Sequence, residues 1–270
     1  MNPFNGKMIV TDLDGTLLDD KKHIPENNLE AIERFTAGGG LFAVATGRSV
    51  ESARPYIAQT PGNLPAIVLN GGMLYDFDND KIIISHTLPE ISRDITNDIF
   101  ENFPHMGVEA FQSNRMHVIR SNKQIEYHIT LEHLDPVFVT SPYDVRGEWS
   151  KALYSDEPEE IDRLIDYLSG KSYDGIRFIR STEIYYEMLP DGVSKGAMLR
   201  ELCERVGILI EKTYAIGDYY NDTEMIAAAG TGCVTANAPE DMRAMADFVT
   251  CHSNDGAIYE LIKKIESGEA

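Results

Sequence analysis

Cysteine is scarce in this 270-residue chain, and its three residues lie far apart in sequence. Cys203, Cys233 and Cys251 form no C-x-x-C motif, and an odd number cannot all pair within one chain. Their pattern argues against a disulfide framework and against a cysteine-based zinc cluster. The seven histidines also lack an H-E-x-x-H or comparable ligand spacing, so none of them is predicted to bind a metal.

Long apolar runs are absent as well. No stretch approaches the roughly 20 residues that a transmembrane helix requires. Residues 1–7 lack the apolar block of a signal peptide. We therefore expect a cytoplasmic protein without a membrane partner.

Basic residues are few relative to acidic ones. The chain has 24 lysines and arginines against 44 aspartates and glutamates, which gives a formal net charge of −20. An acidic surface repels phosphate backbones, so we expect no nucleic-acid partner. The same charge opposes a small phosphate ester, and a site for such an anion must bring its own positive charge. A divalent cation and a lysine would supply it. The oligomeric state stays open.

Apolar runs alternate with helical segments in the first and last parts of the chain. The predicted buried strands lie at residues 7–11, 41–45, 66–69, 213–216, 233–235 and 248–250. Continuous apolar strands that alternate with helices indicate a parallel sheet covered on both faces.

The middle of the chain shows a different pattern, because several strand candidates alternate polar and apolar residues as in an antiparallel sheet. These candidates lie at residues 107–112, 116–120, 137–140, 148–154, 175–180 and 183–188. Helices are predicted near residues 90–103, 122–131 and 157–169. We therefore predict an α/β fold with a Rossmann-like core at residues 1–86 and 190–270, and a smaller α/β domain inserted at residues 87–189.

Polar side chains follow the predicted core strands at the points where these strands end. They are Asp12, Asp14, Thr46, Asn70, Asp218, Asn221 and Asp222. Ligands of an open parallel sheet bind beyond the carboxyl ends of its strands. We expect these side chains to meet at one edge of the sheet.

Two carboxylates close together suit acid–base and nucleophilic chemistry. Asp12 at the strand tip can hold a metal and attack phosphorus, while Asp14 can hold a proton. Gly15 permits a left-handed backbone that lets amide groups approach a phosphate. Taken alone, a D-x-D-G segment is also a common polar turn.

The other motifs are weaker when each is taken separately. The hydroxyl of Thr46 and amides at a helix start suit a phosphate oxygen, whereas Arg48 is as compatible with a surface salt bridge as with a ligand. Lys195 lies in the first turn of a predicted helix, where a cation is unfavourable unless an anion is near. The segment 217–222 can form either a helix cap or a cation site with oxygen ligands.

In this order the features resemble the four motifs of the haloacid dehalogenase-like hydrolases. The motifs are Asp12-Leu13-Asp14-Gly15-Thr16, the strand-end Thr46, the helix-borne Lys195 and the segment Gly217-Asp218-Tyr219-Tyr220-Asn221-Asp222. Further details, such as Asn70-Gly71-Gly72 and Gly192-Val193-Ser194-Lys195-Gly196, resemble the Cof-type sugar-phosphatase branch of that family.

The resemblance implies a phosphatase that uses Mg2+ and acts on small phosphorylated metabolites, with sugar phosphates foremost. Asp12 matches the nucleophile that becomes an aspartyl phosphate, and Asp14 matches the general acid and base. The phosphate-binding positions are Thr46, Gly47, Lys195 and Asn221. The metal positions are Asp12, Asp14 through its main-chain carbonyl, Asp218 and Asp222. Candidate substrate contacts are Arg48 and Asn70.

The inserted segment resembles a cap that closes over the site and selects the substrate. Residues on its strand candidates that can serve this purpose are Arg115, His117, Tyr185 and Glu187. Two alternatives to a hydrolase stay open. One is a phosphosugar mutase on the same scaffold, and the other is a sensor that binds a phosphometabolite without turnover.

Overall fold

The computed structural model describes residues 2–112, 115–132 and 134–269. Its strands are β1 (Met8–Thr11), β2 (Leu41–Val44), β3 (Ala66–Val68), β4 (Met73–Asp76), β5 (Lys81–Ser85), β6 (Gly107–Gln112), β7 (Arg115–Arg120), β8 (Val137–Phe138), β9 (Trp149–Ser155), β10 (Ile176–Thr182), β11 (Tyr185–Pro190), β12 (Thr213–Gly217), β13 (Thr231–Val234) and β14 (Phe248–Val249). Among the described residues, no helix is both long enough and apolar enough to cross a membrane.

The helices alternate with these strands along the chain. They are α1 (Glu26–Ala37), α2 (Val50–Ile57), α3 (Ser92–Asn102), α4 (Lys123–Glu132), α5 (Pro158–Leu168), α6 (Lys195–Val206), α7 (Thr223–Ala228), α8 (Glu240–Met245) and α9 (Ala257–Ser267). The chain divides into two compact units. The first runs up to Arg48, then over Ala53–Ile84, and again from Ser194 onward, while the second comprises Ser49–Ser52 and Ser85–Val193.

The first unit contains a five-stranded parallel sheet in the order β14-β13-β12-β1-β2. Side chains of β1 alternate between the two faces of the sheet. Ile9 packs in a cluster with α1 and α9, whereas Met8 and Val10 pack in a cluster with α6 and α7. Because helices cover both faces, the strands are mostly apolar on both faces, with threonines only at strand ends, as in β1 and β12. The predicted α/β fold with a Rossmann-like parallel sheet is confirmed.

A short three-stranded sheet in the order β3-β4-β5 continues from the edge of this parallel sheet. Ala45, just beyond β2, pairs in parallel with Ile67 of β3. The Thr46 amide then donates to the Ile67 carbonyl at 2.8 Å. This pairing places β3, and the segment with Asn70 that follows it, next to the end of β2.

The second unit contains a six-stranded sheet in the order β10-β11-β9-β6-β7-β8. All of its neighbouring strands are antiparallel except β7 and β8, which pair in parallel with His117 opposite Val137. The antiparallel pairing indicated by the alternating strands is therefore found everywhere except at this edge. The chain passes from β7 through α4 before β8, and a helical crossover returns the next strand in the same direction.

One face of this sheet carries an apolar core built with α3 and α5, which includes the buried Trp149 and Tyr154.

The second unit also contains a buried group of three titratable side chains. His128 of α4 lies between two carboxylates, with Nδ1 2.9 Å from Glu109 and Nε2 3.3 Å from Glu132. Burial on its own would lower the pKa of His128, but the two carboxylates raise it to about 10. The imidazolium form, which donates from both nitrogens, is the stable one.

We expect this histidine to make the stability of the second unit depend on pH. The pKa is higher in the folded state than the roughly 6.5 of an unfolded chain, so the stabilisation is full below pH ~6.5 and disappears as the pH rises through ~10. His128→Gln should lower the free energy of unfolding by about 2 kcal/mol at pH 7, with a smaller loss near pH 10.

The fluorescence of Trp149, the single tryptophan, reports this unfolding because the side chain is buried in the second unit. His105→Gln, at an exposed position of the same unit, is the control. Equal pH dependence in His128→Gln and the parent would contradict the assignment.

Candidate active site

The carboxyl ends of β1, β2 and β12 bring the predicted site residues to one edge of the parallel sheet. Asp12 follows β1, and its amide donates to the Ile216 carbonyl of β12 at 2.9 Å. Asp218 follows β12 directly, and Thr46 follows β2 after one residue. The parallel register therefore places residues of β1 next to residues of β12 that are far away in sequence, such as Met8 opposite Thr213.

Lys195 is the centre of this group. Its side chain is fully buried, and Nζ lies 2.5 Å from Asp12 Oδ1 and 2.7 Å from Asp222 Oδ1. The residue begins α6 because Ser194 caps the helix, accepting a hydrogen bond from the Ala197 amide at 3.0 Å. A lysine at this positive helix end is stabilised by the two carboxylates it contacts.

Asp218 completes a cluster of three carboxylates. One oxygen of each of Asp12, Asp218 and Asp222 lies within 4.8 Å of the others. Thr16 donates to Asp218 Oδ1 at 3.0 Å, while Asp222 Oδ2 accepts the amide of Asp218 at 3.0 Å. The turn after β12 is therefore held by Asp222, and the carboxylate of Asp218 is left facing Asp12.

Glycine at position 15 is required for this arrangement. Gly15 has a left-handed φ of 77°, and a Cβ built there would overlap the Asp218 carboxylate. Its carbonyl accepts a hydrogen bond from the Asn237 side chain at 2.8 Å. Both the conformation and the lack of a side chain let the segment after Asp12 run directly against Asp218.

The carboxylates of the cluster disfavour one another's ionisation. Burial, together with the charges of Asp222 and Asp14, raises the pKa of Asp12 to about 7 although Lys195 opposes this shift. Burial and the neighbouring Asp12 and Asp222 also raise the pKa of Asp218 well above its ordinary value. Burial would lower the pKa of Lys195, but Asp12 and Asp222 raise it, so the lysine stays charged.

This donor set fits a hard divalent cation. Lys195 forms ion pairs with Asp12 and Asp222, so these two carboxylates share one positive charge, and Asp218 adds a third carboxylate beside them. Carboxylate and carbonyl oxygens are the ligands that Mg2+ prefers. Asp222 already accepts hydrogen bonds at both oxygens, from Lys195 and from two main-chain amides, which leaves Asp12 and Asp218 as the better placed carboxylates.

Asp14 lies in a different electrostatic environment. Its Oδ2 accepts from Arg48 Nε at 2.6 Å, and its Oδ1 accepts from Arg48 Nη2 at 2.8 Å and from Lys22 Nζ at 2.6 Å. Burial would raise the pKa of Asp14, but Arg48 and Lys22 outweigh it and hold the pKa below its usual range. Arg48 is buried rather than on the surface, and its guanidinium lies 4.8 Å from the centre of the Tyr56 ring.

The remaining predicted residues lie around the same edge. Thr46 is buried, and its hydroxyl accepts the amide of Arg48 at 3.1 Å. Asn70 follows β3, and its side-chain oxygen accepts from Asn221 Nδ2 at 3.0 Å. A Cβ on Gly47 would press on the Asn70 side chain. Thus Thr46, Gly47, Asn70 and Asn221 form one connected group of polar atoms.

The chain reverses sharply at Asn70. Leu69, Asn70 and Gly71 have φ values of 53°, 54° and 96°, which are left-handed in succession. A Cβ on Gly71 would overlap the Ser194 carbonyl, immediately before Lys195. The Asn70-Gly71 segment therefore packs backbone against backbone at the start of α6.

Sequence reasoning missed two of these contacts. Lys22 was not predicted to reach Asp14, because nothing in the pair Lys21-Lys22 distinguishes it from a solvated loop. Thr16 was part of a motif, but its hydrogen bond to Asp218 depends on a contact across 202 residues.

The candidate cap residues lie in the second unit. Glu187 is buried against Lys151 at 3.1 Å, and Tyr185 lies 5.4 Å from the His128 ring.

The family model for haloacid dehalogenase-like hydrolases matches residues 9–262. A pyridoxal phosphate phosphatase of Escherichia coli is 27% identical over 267 residues, covering 95% of this chain and 97% of the relative. A 5-amino-6-(5-phospho-D-ribitylamino)uracil phosphatase of Bacillus subtilis is 25% identical over 270 residues, covering 95% and 96%.

Solved structures agree with the sequence comparison. A haloacid dehalogenase-like hydrolase from Bacteroides thetaiotaomicron superimposes with a TM-score of 0.84 at 25% identity, covering 96% of this chain and 99% of that structure. The resemblance inferred from the four motifs is confirmed, as is the prediction of an enzyme. The chain belongs to the haloacid dehalogenase-like hydrolase family.

Proposed function

We propose that the chain is a Mg2+-dependent phosphatase that hydrolyses small phosphorylated metabolites, sugar phosphates foremost, through an aspartyl phosphate on Asp12. The observation that carries this proposal is the placement of Asp12 between the ammonium of Lys195 and the carboxylate of Asp218 at the strand tip. The relatives that act on pyridoxal phosphate and on a ribitylaminouracil phosphate support the substrate class, since both substrates are phosphate monoesters.

The Mg2+ ion would be held by the carboxylates of Asp12 and Asp218 and by the main-chain carbonyl of Asp14. When bound, Mg2+ supplies positive charge that neutralises the phosphoryl oxygens and lowers their repulsion of a carboxylate. Asp222 would act by fixing the turn at Asp218 and by sharing Lys195, through the hydrogen bonds it already makes.

Asp12 would attack phosphorus with its Oδ2. Lys195 engages Oδ1, and none of the described residues donates a hydrogen bond to Oδ2. The new Oδ2–P bond forms as the P–O ester bond breaks, and the leaving oxygen takes a proton from Asp14. The oxygen of a water molecule then forms a bond to phosphorus as the bond between phosphorus and Asp12 Oδ2 breaks, with its electrons returning to the Asp12 carboxylate, and the water proton passes to Asp14. Arg48 and Lys22 favour the ionised form of Asp14, which is the form that accepts this proton.

The phosphate would be bound by the hydroxyl of Thr46, the amide of Gly47, the ammonium of Lys195 and the side-chain amide of Asn221. Asn70 would position Asn221 through their 3.0 Å hydrogen bond. Arg48 would act through Asp14, to which it is already bonded. The second unit, predicted at residues 87–189, would serve as the cap that selects the substrate.

The decisive experiment measures phosphate release from a panel of phosphorylated metabolites, with Mg2+, with chelator, and with Asp12→Asn. We expect release that depends on Mg2+ and falls at least about a thousandfold in the variant, because the nucleophile is gone. Asp174→Asn, at an exposed position of the second unit, should match the parent.

Three outcomes would contradict the proposal. Normal turnover by Asp12→Asn would show that Asp12 is not the nucleophile. A rearranged phosphosugar without free phosphate would indicate the mutase. Tight binding of a phosphometabolite by the folded parent without any reaction would indicate the sensor.

Gly15→Ala should weaken activation by Mg2+. A methyl group at Gly15 must displace the Asp218 carboxylate, and we expect the Mg2+ concentration for half-maximal activity to rise about tenfold or more. Gly6→Ala is the matched control, because Gly6 has a nearly equal φ of 74° and no described atom within 4 Å of a Cβ built there. Both variants carry the same backbone strain, so equal Mg2+ activation curves would refute the steric argument.

Lys195→Met should reduce both stability and activity. It leaves Asp12 and Asp222 buried without their cation, which costs about 3–5 kcal/mol of unfolding free energy in chelator. We also expect a loss of about a hundredfold or more in kcat, because the phosphoryl charge loses a fixed donor. Circular dichroism during urea unfolding and phosphate release measure the two effects, and Lys263→Met, on the exposed side of α9, is the control. Kinetic parameters equal to those of the parent would show that Lys195 is not part of the site.

A further inference from the structure

The two oxygens of the Asp14 carboxylate accept different numbers of hydrogen bonds. Oδ1 accepts from Lys22 Nζ and from Arg48 Nη2, whereas Oδ2 accepts only from Arg48 Nε among the described residues. Each carboxylate oxygen has about two lone-pair sites. Both sites of Oδ1 are therefore occupied, and one site of Oδ2 stays available.

A rigid turn aims Lys22 at this oxygen. The Lys22 amide donates to the Asp19 carbonyl at 3.0 Å, and the Asp19 carboxylate accepts the amides of Lys21 and His23 at 2.9 and 2.8 Å. Lys22 itself has a left-handed φ of 61°, which is uncommon for a residue with a side chain. This conformation persists because the bonds around it fix the turn.

The turn is also braced from a distant part of the chain. The side chain of Asn254 accepts the amide of Asp20 at 2.9 Å and donates to its carboxylate at 2.7 Å. Two hydrogen bonds across 234 residues hold the loop against the C-terminal segment. These two hydrogen bonds distinguish the loop from one that contacts only solvent.

We infer that Lys22 is a positioning residue that engages Asp14 Oδ1 and so makes Oδ2 the oxygen that exchanges the proton during hydrolysis. This inference rests on the proposed function. In the water step, a lone pair of the water oxygen forms the bond to phosphorus while a water proton passes to Asp14 Oδ2. The P–O bond to Asp12 breaks with its electrons returning to that carboxylate. In the next turnover Oδ2 returns the proton to the leaving oxygen.

Arg48 alone does not make this selection. Arg48 Nε donates to Oδ2 and Arg48 Nη2 donates to Oδ1, so this bidentate pair gives each oxygen of Asp14 one hydrogen bond. Lys22 breaks that symmetry. In the absence of the Lys22 ammonium, the Asp14 carboxylate keeps Arg48 as its cationic partner. It loses the hydrogen bond to Oδ1 that distinguishes its two oxygens.

The test compares Lys22→Met and Lys22→Arg with Lys21→Met, which alters the neighbouring exposed lysine. Two probes are used, p-nitrophenyl phosphate and a hexose 6-phosphate. Nitrophenolate leaves without a proton from the enzyme, so its release requires only the attack by Asp12. The hexose alkoxide needs that proton. Both esters need Asp14 for the water step.

For p-nitrophenyl phosphate we expect Lys22→Met to lower kcat about tenfold and to leave kcat/KM within about twofold, with a burst of nitrophenolate before the steady state. For the hexose phosphate we expect kcat/KM to fall about tenfold as well. Lys22→Arg should recover most of the activity on both esters because it keeps a cation at this position, and Lys21→Met should equal the parent.

Two results would overturn the inference. One is Lys22→Met behaving as Lys21→Met on both esters. The other is an equal loss of kcat/KM on both esters without a burst, which would indicate structural damage alone. If the parent releases no phosphate from either ester, or if Asp12→Asn is as active as the parent, the proposed function fails first and the inference about Lys22 falls with it.

Discussion

The ion pairs of Lys195 with Asp12 and Asp222 are the interaction on which the rest of the site depends. A fully buried ammonium is costly unless its charge is matched, and two carboxylates at 2.5 and 2.7 Å match it. These contacts join the ends of β1 and β12 to the first turn of α6. Removing Lys195 leaves two buried carboxylates without their cation, so the sheet edge and the helix are held together by groups that we propose to carry the chemistry.

The net charge of the chain is strongly negative, whereas basic side chains are concentrated at the candidate site. The chain as a whole carries a formal net charge of −20, yet Lys195, Arg48 and Lys22 gather around Asp12 and Asp14. The two carboxylates end in contrasting environments, because the pKa of Asp12 is raised while that of Asp14 is lowered. The ionised form that Arg48 and Lys22 favour in Asp14 is the form that accepts a proton from water, and a cation bound beside Asp12 would favour the ionised form that a nucleophile requires.

Much of this could be predicted from sequence, and the exceptions have physical reasons. Continuous apolar strands predicted the parallel sheet, and because parallel strands end at one edge, the meeting of Asp12, Thr46 and Asp218 followed. The parallel pairing of β8 was missed, since a two-residue strand has too little pattern to show its direction. Lys22 was missed because its contact depends on a left-handed backbone and on a brace from Asn254, neither of which has a local signature.

The strand order also bears on how the chain matures during synthesis. β1 lies between β2 and β12, so one of its edges stays unpaired until residues 213–217 have been made. The strands of the six-stranded sheet, in contrast, all lie within residues 107–190 and are complete earlier. All residues of the second unit are therefore made before Asp222, one of the two partners of Lys195. The parallel sheet of the first unit is complete only after its C-terminal strands have been made, so the cluster of Asp12, Asp218 and Asp222 can form only late in synthesis.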